Sequence, residues 1–126
     1  MTAVERSHDV AGLAAGMRLY AMDAWVGHPE VLVDADRLAE LLRTAAAAGP
    51  ATILGEKFCT FPNGAVTGVL ILAQSHLSLH TWPELLLANV DLLSYGRIDG
   101  DAILKTIEEG LEAERVSITC VPRGRS

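Results

Sequence analysis

The chain is short of cysteine, of positive charge and of long apolar runs, and each shortage closes off a class of function. Two of its 126 residues are cysteine, Cys59 and Cys120. They form no metal-ligand spacing, and one possible pair is no disulfide framework. Lys and Arg number 10 against 16 Asp and Glu, which leaves a net charge of -6. Such a chain gains nothing from releasing the counterions of a phosphate backbone, which argues against a nucleic-acid partner. The longest uncharged apolar run of large side chains, Val66 to Ala73, falls far short of the ~20 residues of a membrane span. The first ten residues, MTAVERSHDV, carry Glu5, Arg6 and Asp9 and lack the basic-then-apolar order of a signal peptide. The expectation is a cytoplasmic chain with neither a membrane nor a nucleic acid as partner.

What is present is the composition of a globular domain. Hydrophobic residues make up 50% and charged residues 21%, which excludes a disordered or collagen-like chain and fits one domain. Residues 1–15 mix Ala, Gly and charges without a period and read as a loosely held arm. Residues 16–126 read as a single domain. A strand pattern runs from Met17 to Trp25 and breaks at Gly27-His28-Pro29. Asp34 or Asp36 can cap a helix that carries Leu38, Leu41, Leu42 and Ala45 at helical spacing and stops at Gly49-Pro50. Strands are expected over Ala51 to Phe61, Val66 to Ala73, His76 to Trp82, Leu87 to Ser94 and Val116 to Val121, with a turn at Pro62-Asn63-Gly64. A second helix over Asp101 to Ala113 places Ile103, Leu104, Ile107 and Leu111 on one face. This order predicts an α+β fold, a two-layer sandwich of an antiparallel sheet with both helices on one face. The other sheet face then needs a cover, and the expectation is a dimer interface.

The segment Ala73 to Glu84, AQSHLSLHTWPE, concentrates the reactive residues. On a strand, His76, Ser78, His80 and Trp82 share one face and Leu77 and Leu79 the other. The leucines suit the core; the polar face reads as either solvated or functional. A shared metal is excluded for His76 and His80, since positions four apart on a strand lie ~13 Å from each other. No further His or Cys cluster supplies ligands, so no metal site is expected.

The run QSHLSLHTWPE, followed by VDLLSYG from Val90 to Gly96, resembles the small prokaryotic S-adenosylmethionine decarboxylases. Members typically carry E-S-H-x-[ST]-x-H-T-W-P-E and then D-L-x-[ST]-C-G, and the likeness covers about Met17 to Gly124. The resemblance implies a proenzyme that cuts itself between Gln74 and Ser75 and turns Ser75 into a covalently bound pyruvoyl group. That group serves as cofactor by forming a Schiff base with a substrate amine and accepting electrons as carbon dioxide leaves. It further implies processing roles for Thr67, where a serine is usual, and for His80 as the base. Glu84 matches a carboxylate that contacts the substrate ribose, and Phe61 an aromatic that stacks on adenine. The bland alternatives are a surface ion pair for Glu84 and a core position for Phe61.

Geometry adds to this. A hairpin centred near Gln74 makes Thr67 and His80 cross-strand neighbours. Ser75, at its tip, lies ~16 Å along the strand from His80. Either the strand is broken, or Thr67 and His80 of one protomer serve Ser75 of another, and the second is favoured.

Besides Thr67, three positions depart from the family pattern. Gln74 replaces a glutamate, but the electrophile is its backbone carbonyl, so processing should survive. Tyr95 stands where the family has the proton-donating cysteine, and a phenol of pKa ~10 is a weaker acid than a thiol at ~8.5. Arg18 stands where several members carry histidine. Cys59 and Cys120 read as small buried hydrophobes and not as substitute acids. The main expectation is a self-processing decarboxylase of S-adenosylmethionine that supplies spermidine synthesis. The alternatives are the same chemistry on ornithine or arginine, and an unprocessed paralogue acting as a binding or regulatory subunit.

Overall fold

The computed structural model describes residues 16–124. The expected arm over residues 1–15 lies outside them. Six strands are present: β1 (Arg18–Trp25), β2 (Ile53–Thr60), β3 (Val66–Leu72), β4 (Ser75–Trp82), β5 (Leu87–Ser94) and β6 (Arg115–Pro122). Two helices, α1 (Ala35–Ala48) and α2 (Gly100–Leu111), interrupt them. The strands form one sheet in the order β2-β3-β4-β5-β1-β6, with every neighbouring pair antiparallel. The expected α+β architecture is the observed one.

Each helix begins where an aspartate can accept a backbone N–H. Asp34 accepts from Arg37 N at 3.1 Å and Asp99 from Ala102 N at 3.1 Å, satisfying donors the first turn leaves over. Leu38, Leu42, Ala45 and Ala46 of α1 and Ile103, Leu104, Ile107 and Leu111 of α2 are buried. They pack with Met22, Leu70, Leu77, Leu79, Val90 and Leu92 of the sheet in one core. Each such leucine contributes about 1.5–3 kcal/mol by leaving water. Among the described residues no element covers the opposite face.

Two devices tie the layers together. Arg43 of α1 grips Glu56 of β2 through two nitrogens, Nε at 2.9 Å and Nη2 at 2.6 Å. That hydrogen bond holds the Glu56 carboxyl below the usual glutamate range and pushes the Arg43 guanidinium up. Thr81, fully buried on β4, accepts from Val66 N at 2.8 Å and donates to Leu32 O at 2.8 Å. It thereby fastens the short 3-10 turn Glu30–Val33 to the sheet. At Gly68 the Phe58 ring of β2 crosses so closely that a Cβ would overlap it, which only glycine permits.

Element bounds differ from the sequence reading by one or two residues. β2 begins at Ile53, where a register irregularity before Gly55 turns Ile53 toward the core and leaves Leu54 67% exposed. No helix among the described residues is long and apolar enough to cross a membrane.

Candidate active site

The β3–β4 hairpin turns through Ala73 and Gln74, with Leu72 paired to Ser75 and Thr67 paired to His80. Gln74 holds φ 68, the left-handed region that costs an L-residue roughly 1–2 kcal/mol. The peptide between this residue and Ser75 is the bond the family pattern marks for cleavage. The Ser75 hydroxyl donates to the Leu93 carbonyl of β5. Tyr95 follows Ser94 directly, so it lies at the same sheet end, one strand over. Gln74, Ser75 and Tyr95 are thus gathered at one end of the sheet.

Thr67 and His80 are gathered elsewhere. Thr67 Oγ1 lies 2.5 Å from His80 Nδ1 on the uncovered face. Around the imidazole stand Phe61, ring centroids 5.9 Å apart, and Trp82 at 4.5 Å, both edge-on. Trp82 Nε1 donates to Asn89 Oδ1 at 2.6 Å, and Asn89 Nδ2 donates to Asp23 Oδ1 at 2.7 Å. Glu84 is exposed on the 3-10 turn Pro83–Leu85 just beyond Trp82. Phe61 is 45% exposed, so it is not the core aromatic of the bland reading.

β4 runs unbroken from Ser75 to Trp82, which removes the broken-strand alternative. Ser75 and His80 stand ~16 Å apart along it. They also face opposite ways. Ser75 pairs with the buried Leu72, so its side chain starts on the helix side, while His80 belongs to the open face. The chain therefore carries two separate groups: Gln74, Ser75 and Tyr95 at one end, and Thr67, His80, Phe61 and Glu84 toward the other.

Sequence reasoning misses Asn89 and Asp23, which pairing places in one row across six strands. Cys59 lies opposite Thr67, Thr67 opposite His80, His80 opposite Asn89, Asn89 opposite Asp23, and Asp23 opposite Ser117. The reading of Cys59 and Cys120 as buried is corrected, since both are exposed. Each sits on an edge strand, and the face that bears Cys59 has no described layer over it. Arg18, at the start of β1, pairs with Ser94 and so stands at the Ser75 end. A cavity of about 490 Å³ opens elsewhere, beside His28, Glu30, Arg37 and Glu114, and none of the motif residues lines it. A flat sheet face encloses no volume until something lies across it.

Comparison with known proteins agrees with this fold. The S-adenosylmethionine decarboxylase family pattern matches residues 18–124. The chain is similar to the S-adenosylmethionine decarboxylase proenzyme of Pyrococcus abyssi, 33% identical over 106 residues that span 83% of this chain and 76% of that one. It is also similar to that of Thermodesulfovibrio yellowstonii, 36% identical over 98 residues, 77% and 73% of the two chains. The crystal structure of the adenosylmethionine decarboxylase from Aquifex aeolicus superposes with a TM-score of 0.80 at 26% identity, covering 89% of this chain and 93% of that one. Fold and motif define the class first, a carboxy-lyase of the proenzyme type. The chain belongs to the S-adenosylmethionine decarboxylase family.

Proposed function

We propose that this protein cuts itself between Gln74 and Ser75 and then decarboxylates S-adenosylmethionine as a homodimer of cleaved protomers. The observation that carries the reading is the hydrogen-bonded Thr67–His80 pair, in the family's motif positions, on a sheet face that no described element covers. Cleavage begins locally. The Ser75 hydroxyl adds to the carbonyl carbon of Gln74, the amide nitrogen leaves, and an ester replaces the peptide bond. His80 then takes the Ser75 α-proton, and the ester oxygen departs as the carboxylate of residue 74. Water displaces the nitrogen of the resulting dehydroalanine as ammonia, which gives a pyruvoyl end. The left-handed Gln74 supports the choice of bond, since its strain is relieved when the peptide breaks.

For His80 to act as base its Nε2 must be free. The tautomer in which Nδ1–H donates to Thr67 Oγ1 leaves the Nε2 lone pair available. The ~16 Å to its own Ser75 argues that it serves the Ser75 of a second copy. Ile71 and Val121, 55% and 42% exposed, stand at the ends of one cross-strand row on the open face that also holds His76, Leu93 and Leu19, and supply apolar surface for that contact.

The pyruvoyl group, once formed, supplies an electron-withdrawing carbonyl. The chain's own residues position the substrate: Phe61 offers an aromatic face, Glu84 a carboxylate for the ribose hydroxyls, and Tyr95 a phenolic proton at the Ser75 end. A cytoplasmic location fits this small-molecule chemistry. Carbon dioxide release from carboxyl-labelled S-adenosylmethionine, ornithine and arginine tests the substrate. Release from the first alone, and none with Ser75→Ala, is expected; release from ornithine or arginine alone would move the reading to the smaller amines.

A further inference from the structure

We propose that Asp23 and Asn89 are positioning residues for the processing base, fixing the Trp82 indole and through it the His80 ring. The proposal rests on the reading of His80 as that base. The imidazole lies on a sheet face without a described covering layer, so its orientation has to come from neighbours on the same face. Thr67 holds one nitrogen at 2.5 Å, which still lets the ring swing about that contact. Trp82 closes the other side, with centroids 4.5 Å apart and planes at 64°. Yet Trp82 is itself 38% exposed and needs an anchor.

That anchor is directional. An indole has one N–H, and here it donates to Asn89 Oδ1 at 2.6 Å. An amide side chain can turn either way, because its oxygen and nitrogen are nearly equal in shape. An ionised carboxylate only accepts, so Asp23 draws Asn89 Nδ2 toward itself, at 2.7 Å, and leaves Oδ1 for Trp82. Carboxylate, amide and indole then form one satisfied arrangement across β1, β5 and β4. Asn89 is paired directly opposite His80 and reaches Trp82 diagonally, two residues on. The wall beside His80 is thereby tied to a strand 66 positions away in sequence from Asn89.

Exchanging the two polar partners tests the idea on the full-length precursor. In Asn89→Asp two carboxylates face each other where a bond had been, and self-cleavage should slow about tenfold or more, as a displaced base does. Asp23→Asn alone, whose amide no longer dictates how Asn89 turns, should cost less. In the double variant the carboxylate now at position 89 accepts from both the Trp82 indole and the amide now at position 23. The rate should then recover to within about threefold of the original. The Trp82 indole N–H resonance, assigned against Trp25→Phe, should move in Asn89→Asp and return in the double variant. Should Asn89→Asp fail to fold, Asn89→Ser, too short to reach both partners, is expected to show the same slowing and the same shift.

An Asn89 variant that cleaves at the original rate overturns the proposal, as does a double variant as slow as Asn89→Asp. His80→Ala separates the two ideas. If it cleaves normally, or if the unmodified chain stays whole, His80 is not the base and the positioning claim falls with it. If it stalls while the Asn89 variants do not, only the positioning claim falls.

Discussion

At the scale of single residues, the site depends on what each side chain can donate or accept. Thr67 must offer His80 an oxygen, and β-branching holds that oxygen in place on the strand. Thr67→Ser keeps the oxygen and should process at a similar rate. Thr67→Val keeps the shape and loses the bond, so precursor should accumulate, with cleavage slowed roughly tenfold or more when followed by gel densitometry. Tyr95 is proposed for the later chemistry. Tyr95→Phe should leave cleavage complete and lower turnover, read as fragment ratio against carbon dioxide release; undiminished turnover would remove the phenol from proton transfer. Residue by residue, the motif is legible because the family spacing is specific. Cys59 is not, since period-two alternation tells which face a residue occupies but not whether that face is covered. Ser75 reads as lying just outside the strand, which hides its turn toward the helix side. Asn89 and Asp23 escape a linear reading because only sheet pairing brings them together.

Elements are more legible than contacts. Leu87–Ser94 forms a strand with the expected bounds, its residues alternating between the core and the open face, and the turn at Gln74 puts Thr67 opposite His80 as its position requires. The irregularity in β2 is not legible, because it answers to the packing of Ile53 and Phe58 and not to local propensity. The clamp between α1 and β2 is equally hidden, as Arg43 and Glu56 belong to different elements. It makes a pH prediction. Glu56 titrates below its ordinary value in the folded state, so its contribution is present above the unfolded glutamate pKa of about 4.3 and fades as pH falls through the lower folded value. Thermal melts should therefore show Glu56→Gln below the parent at neutral pH, with the gap closing in acid. A gap that stays constant through the acid range would show that the clamp's charge is immaterial.

The whole molecule presents half of a site twice over. Gln74 and Ser75, the proposed cleavage residues, sit at one end of the sheet and the Thr67–His80 pair toward the other, on a strand that does not break. A second copy laid across the open face can bring each half to its complement, and no internal motion short of unfolding β4 does the same. Mixed dimers express this directly. Chains carrying Ser75→Ala keep the base, and chains carrying His80→Ala keep the cleavage serine. Each alone should remain uncut. Co-expressed, the His80→Ala chain should be cut by its partner, and the Ser75→Ala chain should not. Failure of every His80→Ala chain to cleave in the mixture would place base and serine in one protomer.

The most direct measurement is the mass of the purified protein under denaturing conditions. Self-processing predicts two fragments, residues 1–74 and 75–126, the second blocked at its N-terminus by a pyruvoyl group in place of serine. A single chain of full mass that persists through long incubation would contradict it, and would leave a folded member of a decarboxylase family that never makes its cofactor.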